Sequence, residues 1–199
     1  MRIVIDGNIG SGKSTQINML KDLGFKCHKE PIEKWPLDLF YKDKSRWGFL
    51  LQMKILETYT TPEDDCIYER CLQSSKDVFW YNLLVNNIVT QTENDVYIEW
   101  YNKVVWHPDV NIYLRSYPEE CYQRIQTREQ TGDSAVSLDY IRQIHDYYEL
   151  VSYRFRKMQK NRKHYVIIVD GKTPEQIHKE IISVLKAENA MFLADSNRT

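Results

Sequence analysis

A glycine-rich segment near the start of the chain has the residue types and spacing of a phosphate-binding loop. Residues 7–15 are Gly-Asn-Ile-Gly-Ser-Gly-Lys-Ser-Thr and contain the pattern G-x-x-x-x-G-K-[ST]. In such a loop backbone N–H groups turn toward phosphate oxygens, Lys13 brings a positive charge to the β- and γ-phosphates, and the Ser14 hydroxyl ligates Mg²⁺. The sequence predicts a nucleoside triphosphate site formed by Gly7, Asn8, Ile9, Gly10, Ser11, Gly12, Lys13, Ser14 and Thr15.

Polar residues after two further apolar runs bear on the identity of the phosphate acceptor. Glu30 and Trp35 follow the second run, and Glu69 and Arg70 end the third. Because ligands of parallel sheets lie beyond the carboxyl ends of the strands, we expect these residues near the phosphate loop. There Glu30 is placed as a general base for a hydroxyl acceptor, and Trp35 to stack on a flat ring. A solvated charge, a core tryptophan and an ordinary ion pair are the plainer alternatives.

Two arginines precede the polar segment Gln130–Val136. Arg124 and Arg128 lie four residues apart, a spacing that puts both side chains on one side of a helix. From there they would close over a transferring phosphoryl group as a short lid, where the loss of one such donor costs about 10²–10³ in rate. The same spacing also fits a solvated helix face.

Five apolar runs alternate with helical stretches, which is typical of a parallel sheet covered by helices on both faces. The predicted strands are Arg2–Asp6, Gly24–His28, Asp65–Glu69, Asp109–Leu114 and Tyr165–Asp170. N-caps are predicted at Ser137, before a long helix with an apolar stripe, and at Thr173. We expect one domain over residues 1–186 and a mobile polar tail over residues 187–199.

Two predicted helices, Ser45–Tyr59 and Ser74–Thr90, are apolar on most of their surface. In the second, the apolar residues Val78, Tyr81, Val85 and Ile88 are spaced to share one face. Such helices must be covered on most sides, by the sheet and by a ligand or a second subunit.

The composition argues against several classes of partner. The 199 residues include 27 Lys or Arg and 28 Asp or Glu, a net charge of −1, which gives no support for a broad nucleic-acid or membrane surface. No apolar run approaches the ~18 residues of a membrane span. The first strand starts directly after Met1, which predicts no signal or transit peptide. The four cysteines form no C-x-x-C pair, so neither a zinc ribbon nor a redox motif is indicated. We therefore expect a cytoplasmic protein with idle thiols.

Taken together, these motifs resemble the deoxynucleoside kinase family from about Ile3 to Asp170. The matching positions are the phosphate loop, Glu30-Pro31-x-x-x-Trp35, Tyr41, Arg46-Trp47, Gln52, Glu69-Arg70, Arg124-x-x-x-Arg128 and Leu138-Asp139-Tyr140. The resemblance implies an α/β P-loop kinase fold with a five-stranded parallel sheet and a short arginine-bearing lid. It also implies a homodimer formed through the two apolar helices, and transfer of the γ-phosphate of ATP to the 5′-hydroxyl of a deoxynucleoside.

The resemblance further implies a role for each matching residue. Glu30 is the base for the 5′-hydroxyl, and Arg70 holds that region and the incoming phosphate. Ser14 and Glu69 hold Mg²⁺. The lid arginines are Arg124 and Arg128, and Lys13 contacts the donor phosphates. The sugar and base contacts are Tyr41 at the 3′-hydroxyl, Gln52 at the base edge, and Trp35 and Phe79 on the base.

Several positions depart from the family pattern. Asp133 stands where the family lid offers Glu to the 3′-hydroxyl, and Gln130 stands where a third lid Arg is common. Purine- and cytosine-preferring members place an Arg and an Asp in the base pocket, where this chain has Tyr59 and Ser75. The more neutral pocket favours thymidine and deoxycytidine over purines as substrates.

Two other functions are considered. A nucleoside monophosphate kinase of the thymidylate kinase type accepts phosphate on a phosphate, which the charge of Glu30 would repel. A GTP-dependent switch needs N-K-x-D to bind guanine, and the nearest stretch, Asn161-Arg162-Lys163-His164, lacks the Asp. The hydroxyl-acceptor hypothesis uses the charge of Glu30, so we favour it.

Overall fold

The structure is a computed structural model that describes residues 1–59, 61–128, 136–158 and 163–191. Five strands form one parallel sheet in the order β2-β3-β1-β4-β5, which confirms the predicted sheet. The strands are β1 Arg2–Gly7, β2 Cys27–His28, β3 Cys66–Glu69, β4 Val110–Arg115 and β5 Lys163–Ile168. β2 is shorter than predicted, and β5 starts and ends two residues earlier than predicted.

β1 lies at the centre of the sheet, between β3 and β4. Ile3, Val4 and Ile5 are fully buried, as expected for a strand covered on both faces. The register pairs Ile5 with Glu69 and Gly7 with Leu114. The start of the phosphate loop and the end of β3 therefore lie side by side at the carboxyl ends of the strands.

Helices cover the two faces of the sheet. They are α1 Lys13–Asp22, α2 Leu37–Lys42, α3 Lys44–Thr58, α4 Leu72–Ser74, α5 Tyr81–Val85, α6 Gln91–Val104, α7 Pro118–Thr127, α8 Leu138–Met158 and α9 Pro174–Ala187. A 3-10 turn spans Ile32–Lys34, and a π-helix spans Ser75–Trp80 between α4 and α5.

Two helix starts confirm predicted N-caps. The Ser137 hydroxyl accepts a hydrogen bond from the Tyr140 N–H (3.2 Å) at the start of α8, and Thr173 accepts one from the Gln176 N–H (3.3 Å) at α9. Satisfying the free N–H groups of the first turn stabilises a helix start by about 1 kcal/mol. The predicted stripe of α8 is buried at Ile141, Ile144, Tyr148 and Phe155.

The single helix predicted for Ser74–Thr90 is wrong. A π-helix has more residues per turn than an α-helix, so the stretch Ser75–Trp80 shifts the register of the residues after it. Val78 is fully buried, whereas Tyr81 and Val85 are exposed. The spacing that placed these residues on one face assumed an uninterrupted α-helix.

The packed part of the chain extends beyond the predicted boundary at residue 186. Ala190 is fully buried in the core, and the buried carboxylate of Glu188 accepts hydrogen bonds from Lys163 and Tyr165 on β5. The rest of the predicted tail, residues 192–199, lies outside the described residues. Within the described ranges, no helix is both long and apolar enough to cross a membrane. The cysteines Cys27, Cys66, Cys71 and Cys121 are free thiols.

Candidate active site

A cavity of about 310 Å³ lies beyond the carboxyl ends of β1 and β3. Its wall contains predicted donor residues and predicted acceptor residues together. They are Ile9, Gly10, Lys13, Ser14 and Thr15 from the loop, and Glu30, Trp35, Tyr41, Gln52, Tyr59, Glu69, Arg70, Ser75 and Phe79 from the acceptor side. Gly7, Asn8, Ser11 and Gly12 belong to the loop but do not line this cavity.

The phosphate loop is held in shape by its own polar groups. The Asn8 side chain donates to the Ile141 carbonyl of α8 (2.9 Å) and accepts from the Ile9 N–H (2.8 Å). Gly12 is the N-cap of α1, so it offers no side chain to the first N–H groups of that helix. These groups lack intrahelical partners, and with the helix dipole they favour an anion at this point.

Gly10 is required by a close approach of the backbone. It has a left-handed φ of 82°, and a Cβ atom there would lie 2.4 Å from the Cys121 carbonyl oxygen of α7. Gly12 also has a left-handed φ, of 92°, but a Cβ atom there would meet nothing within 4 Å. Glycine is therefore required at position 10 by both its left-handed backbone and the close approach of α7, and at position 12 only by its left-handed backbone.

Lys13 is buried and its ammonium group lies on the loop. The Nζ atom donates to the Asn8 carbonyl oxygen (2.8 Å). Burial, with a smaller effect from the nearby Arg70 charge, lowers the pKa of Lys13 to about 8. Negatively charged phosphate oxygens bound in the cavity would favour the charged form of the buried Lys13 ammonium group.

Ser14 and Glu69 supply an oxygen pair that fits Mg²⁺. The Ser14 hydroxyl donates to Glu69 Oε1 (2.5 Å), and Glu69 Oε2 lies 3.5 Å from the Glu30 N–H. Mg²⁺ prefers one or two protein oxygens and completes its shell with phosphate oxygens and water. The hydroxyl and the carboxylate beside Lys13 match that requirement.

Glu30 and Arg70 form an ion pair in the cavity wall, and their side chains are only 10% and 11% exposed. Arg70 Nη1 donates to both oxygens of Glu30 (2.7 and 2.8 Å), and Nη2 donates to the Gly7 carbonyl oxygen (3.2 Å). Burial raises the pKa of the Glu30 carboxyl group, and the Arg70 charge opposes that rise. A carboxylate with little water around it is a stronger base than one in solvent.

The backbone of Arg70 turns sharply at the end of β3. Its φ is +62°, a left-handed value that is uncommon for a residue other than glycine, while its N–H donates to the Ile5 carbonyl (3.1 Å). The guanidinium carbon lies 4.7 Å from the ring centre of Phe79. The turn points the side chain back over the phosphate loop.

The side chains predicted to surround the base are uncharged. The Ser75 hydroxyl donates to Gln52 Oε1 (3.1 Å), and both residues are buried. The Tyr59 hydroxyl donates to the Glu69 carbonyl oxygen (2.9 Å), and Trp35 Nε1 donates to the Thr58 hydroxyl (3.3 Å). With its oxygen held by Ser75, the Gln52 amide presents its N–H₂ group and one oxygen lone pair for further hydrogen bonds.

The two predicted lid arginines do not share one face. α7 ends at Thr127, and Arg128 has an extended backbone, so the assumed helical spacing stops short of it. Arg128 lines the cavity, whereas Arg124 lies away from it and donates to Ser116 (3.3 Å) and Glu120 (3.5 Å). The predicted lid residues Gln130 and Asp133 lie outside the described residues.

Comparison with known proteins decides the family. The family model described as deoxynucleoside kinase matches residues 3–191. The chain belongs to the deoxynucleoside kinase family. Enzymes of this family are ATP-dependent phosphotransferases, which agrees with a cavity that joins a phosphate loop to an acceptor site.

Relatives of this kinase carry several substrate names. The chain is 34% identical to the fowlpox virus protein named "Probable deoxycytidine kinase FPV151", and the match covers 74% of this chain and 70% of the viral one. It is 32% identical to human mitochondrial thymidine kinase 2, over 74% of this chain and 62% of the human one. A solved deoxyadenosine kinase from M. mycoides, with products dCMP and a flexible dCDP bound, has a TM-score of 0.81 and 26% identity, over 94% and 99% of the two chains.

Two residues behind the cavity of the kinase were missed by sequence reasoning. Asp6 and Tyr148 are buried and contact Arg70 without lining the cavity. A charged residue at the end of an apolar strand was a signal for Asp6. Tyr148 gave no such signal, because its spacing in the α8 stripe marks it only as a core residue.

Proposed function

We propose that the protein transfers the γ-phosphate of ATP to the 5′-hydroxyl of a pyrimidine deoxynucleoside, thymidine or deoxycytidine. The observation that carries this proposal is the single cavity that holds Lys13 of the phosphate loop and the Glu30–Arg70 pair. A phosphate donor and a hydroxyl acceptor bound in this cavity would lie next to each other. Glu30, the base, and Arg70, a cation, would lie where they meet.

Each side chain has a part in the reaction. Glu30 takes the proton of the 5′-hydroxyl as the oxygen forms a bond to the γ-phosphorus, and the bond from that phosphorus to the β-phosphate oxygen breaks to release ADP. Lys13 and Arg70 stabilise the charge on the phosphate oxygens during the transfer. Mg²⁺, held by Ser14 and Glu69, would neutralise charge on the donor phosphates.

A hydroxyl acceptor fits the site better than a phosphate acceptor. Glu30 lies in the cavity wall with its negative charge next to Glu69. A monophosphate would bring two more negative charges toward these carboxylates, and the repulsion is strong where water is scarce. The kinase family match supports the same choice over a thymidylate-type kinase.

The base pocket supports a pyrimidine. Gln52 and Ser75 are hydrogen-bonded to each other, and the Tyr59 ring lines the same cavity. All three side chains are uncharged. The fowlpox and human relatives are named for pyrimidine nucleosides, which supports the proposal, whereas the solved M. mycoides relative is named for deoxyadenosine.

A homodimer in the cytoplasm completes the proposal. The exposed Tyr81 and Val85, which lie one turn apart on α5, provide an apolar surface for a second copy. α3 and α5 are neighbours, because Gly48 of α3 lies beside Leu83 of α5. The free cysteines suit a reducing compartment.

A substrate panel tests the proposal. The protein is incubated with γ-labelled ATP and Mg²⁺, and separately with thymidine, deoxycytidine, deoxyadenosine, deoxyguanosine and thymidine monophosphate. We expect label on thymidine or deoxycytidine at the 5′ position. Transfer to the monophosphate alone would overturn the acceptor assignment, and transfer to purine nucleosides alone would overturn the pyrimidine assignment.

A further inference from the structure

Two buried residues form a polar pair directly behind the cavity. Tyr148 of α8 and Asp6 of β1 are 3% and 4% exposed, and neither lines the cavity. The Tyr148 hydroxyl donates to Asp6 Oδ1 (2.7 Å) and accepts from Arg70 Nε (3.2 Å). Arg70 is the charged side chain that joins this pair to the cavity.

The hydrogen bonds of the Arg70 guanidinium group are divided among three partners. Nη1 is bound to Glu30, Nη2 to the Gly7 carbonyl, and Nε to Tyr148, while Phe79 covers one face. A planar fork of this kind is oriented by all of its partners at once. Loss of the Nε partner would leave the group free to turn about the contacts with Glu30 and Gly7.

The Tyr148 hydroxyl also separates two opposite charges. Arg70 Nε lies 4.0 Å from Asp6 Oδ1, and the hydroxyl is hydrogen-bonded to both atoms. Attraction between unit charges at this distance is strong in a buried site. Without the hydroxyl, Asp6 would lose a hydrogen-bond donor, and Arg70 would be drawn toward Asp6 and away from Glu30.

We propose that Tyr148, bound to Asp6, is a positioning residue that holds Arg70 in place for phosphoryl transfer. The inference deepens the proposed function and rests on it, because it gives Arg70 a defined position between Glu30 and the phosphate loop. Gly7 strengthens the connection, since its N–H donates to Asp6 Oδ1 (2.8 Å) and its carbonyl accepts from Arg70. The pair therefore fixes the acceptor side relative to the first residue of the donor loop.

Tyr148→Phe tests the proposal, with Tyr113→Phe as the matched control. Tyr113 is equally buried, stacks on Tyr148 (5.5 Å between ring centres), and donates its hydroxyl to a carboxylate, Glu149 (3.0 Å). Both variants lose one buried tyrosine hydroxyl, but only Tyr148 touches Arg70. We expect kcat to fall about 10- to 100-fold in Tyr148→Phe, with the KM for ATP within about threefold of the parent, and about twofold or less in Tyr113→Phe.

A double-mutant cycle separates positioning from general damage. If Tyr148 acts through Arg70, Tyr148→Phe should lower kcat much less in an Arg70→Lys background than in the parent. The same fold loss in both backgrounds would overturn the proposal. So would a Tyr148→Phe enzyme with the parent kcat, or a Tyr113→Phe enzyme with an equal loss.

Variants of Asp6 test the same pair if Tyr148→Phe folds poorly. The amide oxygen of Asp6→Asn still accepts the Tyr148 hydroxyl, whereas Asp6→Ala leaves it without an acceptor. We expect Asp6→Asn to keep kcat within about threefold of the parent and Asp6→Ala to lose about tenfold or more. Equal kcat values for the two would contradict the proposal. A parent enzyme inactive on every deoxynucleoside would instead contradict the proposed function.

Discussion

Four charged side chains of the cavity, Lys13, Glu30, Glu69 and Arg70, have polar partners within the protein. Lys13 contacts the Asn8 carbonyl, Arg70 holds Glu30, and Ser14 holds Glu69. Each pairing lowers the cost of burying a charge in a site shielded from water. Binding of donor and acceptor must exchange these contacts for contacts with phosphate, magnesium and hydroxyl groups.

Glu30→Gln should keep ATP binding and lose most turnover. The amide matches the carboxylate in size but cannot take a proton, and general-base catalysis contributes about 10²–10⁴ in rate. Initial rates and the affinity for ATP are measured for Glu30→Gln and for Glu33→Gln, an exposed carboxylate three residues away. Turnover equal to that of the parent would show that Glu30 is not the base, and the control should behave as the parent.

Gly10→Ala should be more damaging than Gly12→Ala. Both substitutions impose a left-handed φ on a residue with a Cβ atom, which costs about 1–2 kcal/mol. Only at Gly10 does the new atom collide with backbone, at 2.4 Å from the Cys121 carbonyl, so α7 and the loop must move apart. Urea unfolding and ATP binding of the two variants measure the difference. Equal losses would mean that the contact between the loop and α7 is dispensable.

At the scale of elements, the sequence predicts regular segments well and interruptions poorly. The α8 stripe and the Ser137 and Thr173 caps follow from local patterns, and the structure confirms them. The π-helix Ser75–Trp80, whose Val78 and Trp80 side chains are buried, follows from no local sequence rule. The left-handed backbone of Arg70 likewise has no local sequence signal.

His164 on the edge strand β5 should make folding stability depend on pH. Burial, with a smaller effect from Arg156, lowers its pKa to about 4, and its ring stacks on Phe155 (5.0 Å between centres). The unfolded chain has a higher pKa, about 6.5, and so binds the proton first as the pH falls. Stability contributed by neutral His164 is therefore complete above about pH 6.5 and is lost toward pH 4.

Urea unfolding at pH 7 and pH 5 measures this effect. The parent should lose about 1 kcal/mol more than His164→Gln between these two values, an amount reduced for the partial exposure of the ring. His107→Gln, at an exposed position, is the control and should retain the pH dependence of the parent. An unchanged slope in His164→Gln would contradict the assignment to His164.

At the scale of the whole molecule, the sequence predicts the sheet and the main cavity residues but not the contacts that join them. The phosphate loop and Glu30 are apparent from spacing because each lies next to a strand end. The Asp6–Tyr148 bond joins residues 142 positions apart, and Asn8 reaches the Ile141 carbonyl 133 positions away. Such contacts depend on how helices pack on the sheet, and one sequence contains no periodicity that reports them.

The surface made by Tyr81 and Val85 of α5 should hold two copies together. Tyr81→Lys combined with Val85→Lys places charges on this apolar surface and should convert the protein from twice the 23.9 kDa chain mass to the monomer mass. Light scattering measures the change. Leu23→Lys, at an exposed position at the end of α1, is the control and should leave the mass unchanged. A parent that is already monomeric would end the dimer proposal.

The Asp6–Tyr148–Arg70 arrangement has a consequence for synthesis of the chain. Ribosomes add residues from the N-terminal end, and Tyr148 follows Arg70 by 78 positions, an interval of about 4–16 s at about 5–20 residues/s. During that interval the nascent chain contains Asp6 and Arg70 without the hydroxyl that separates them. Arg70 therefore gains its Nε partner only when α8 packs on the sheet, late in the synthesis of the chain.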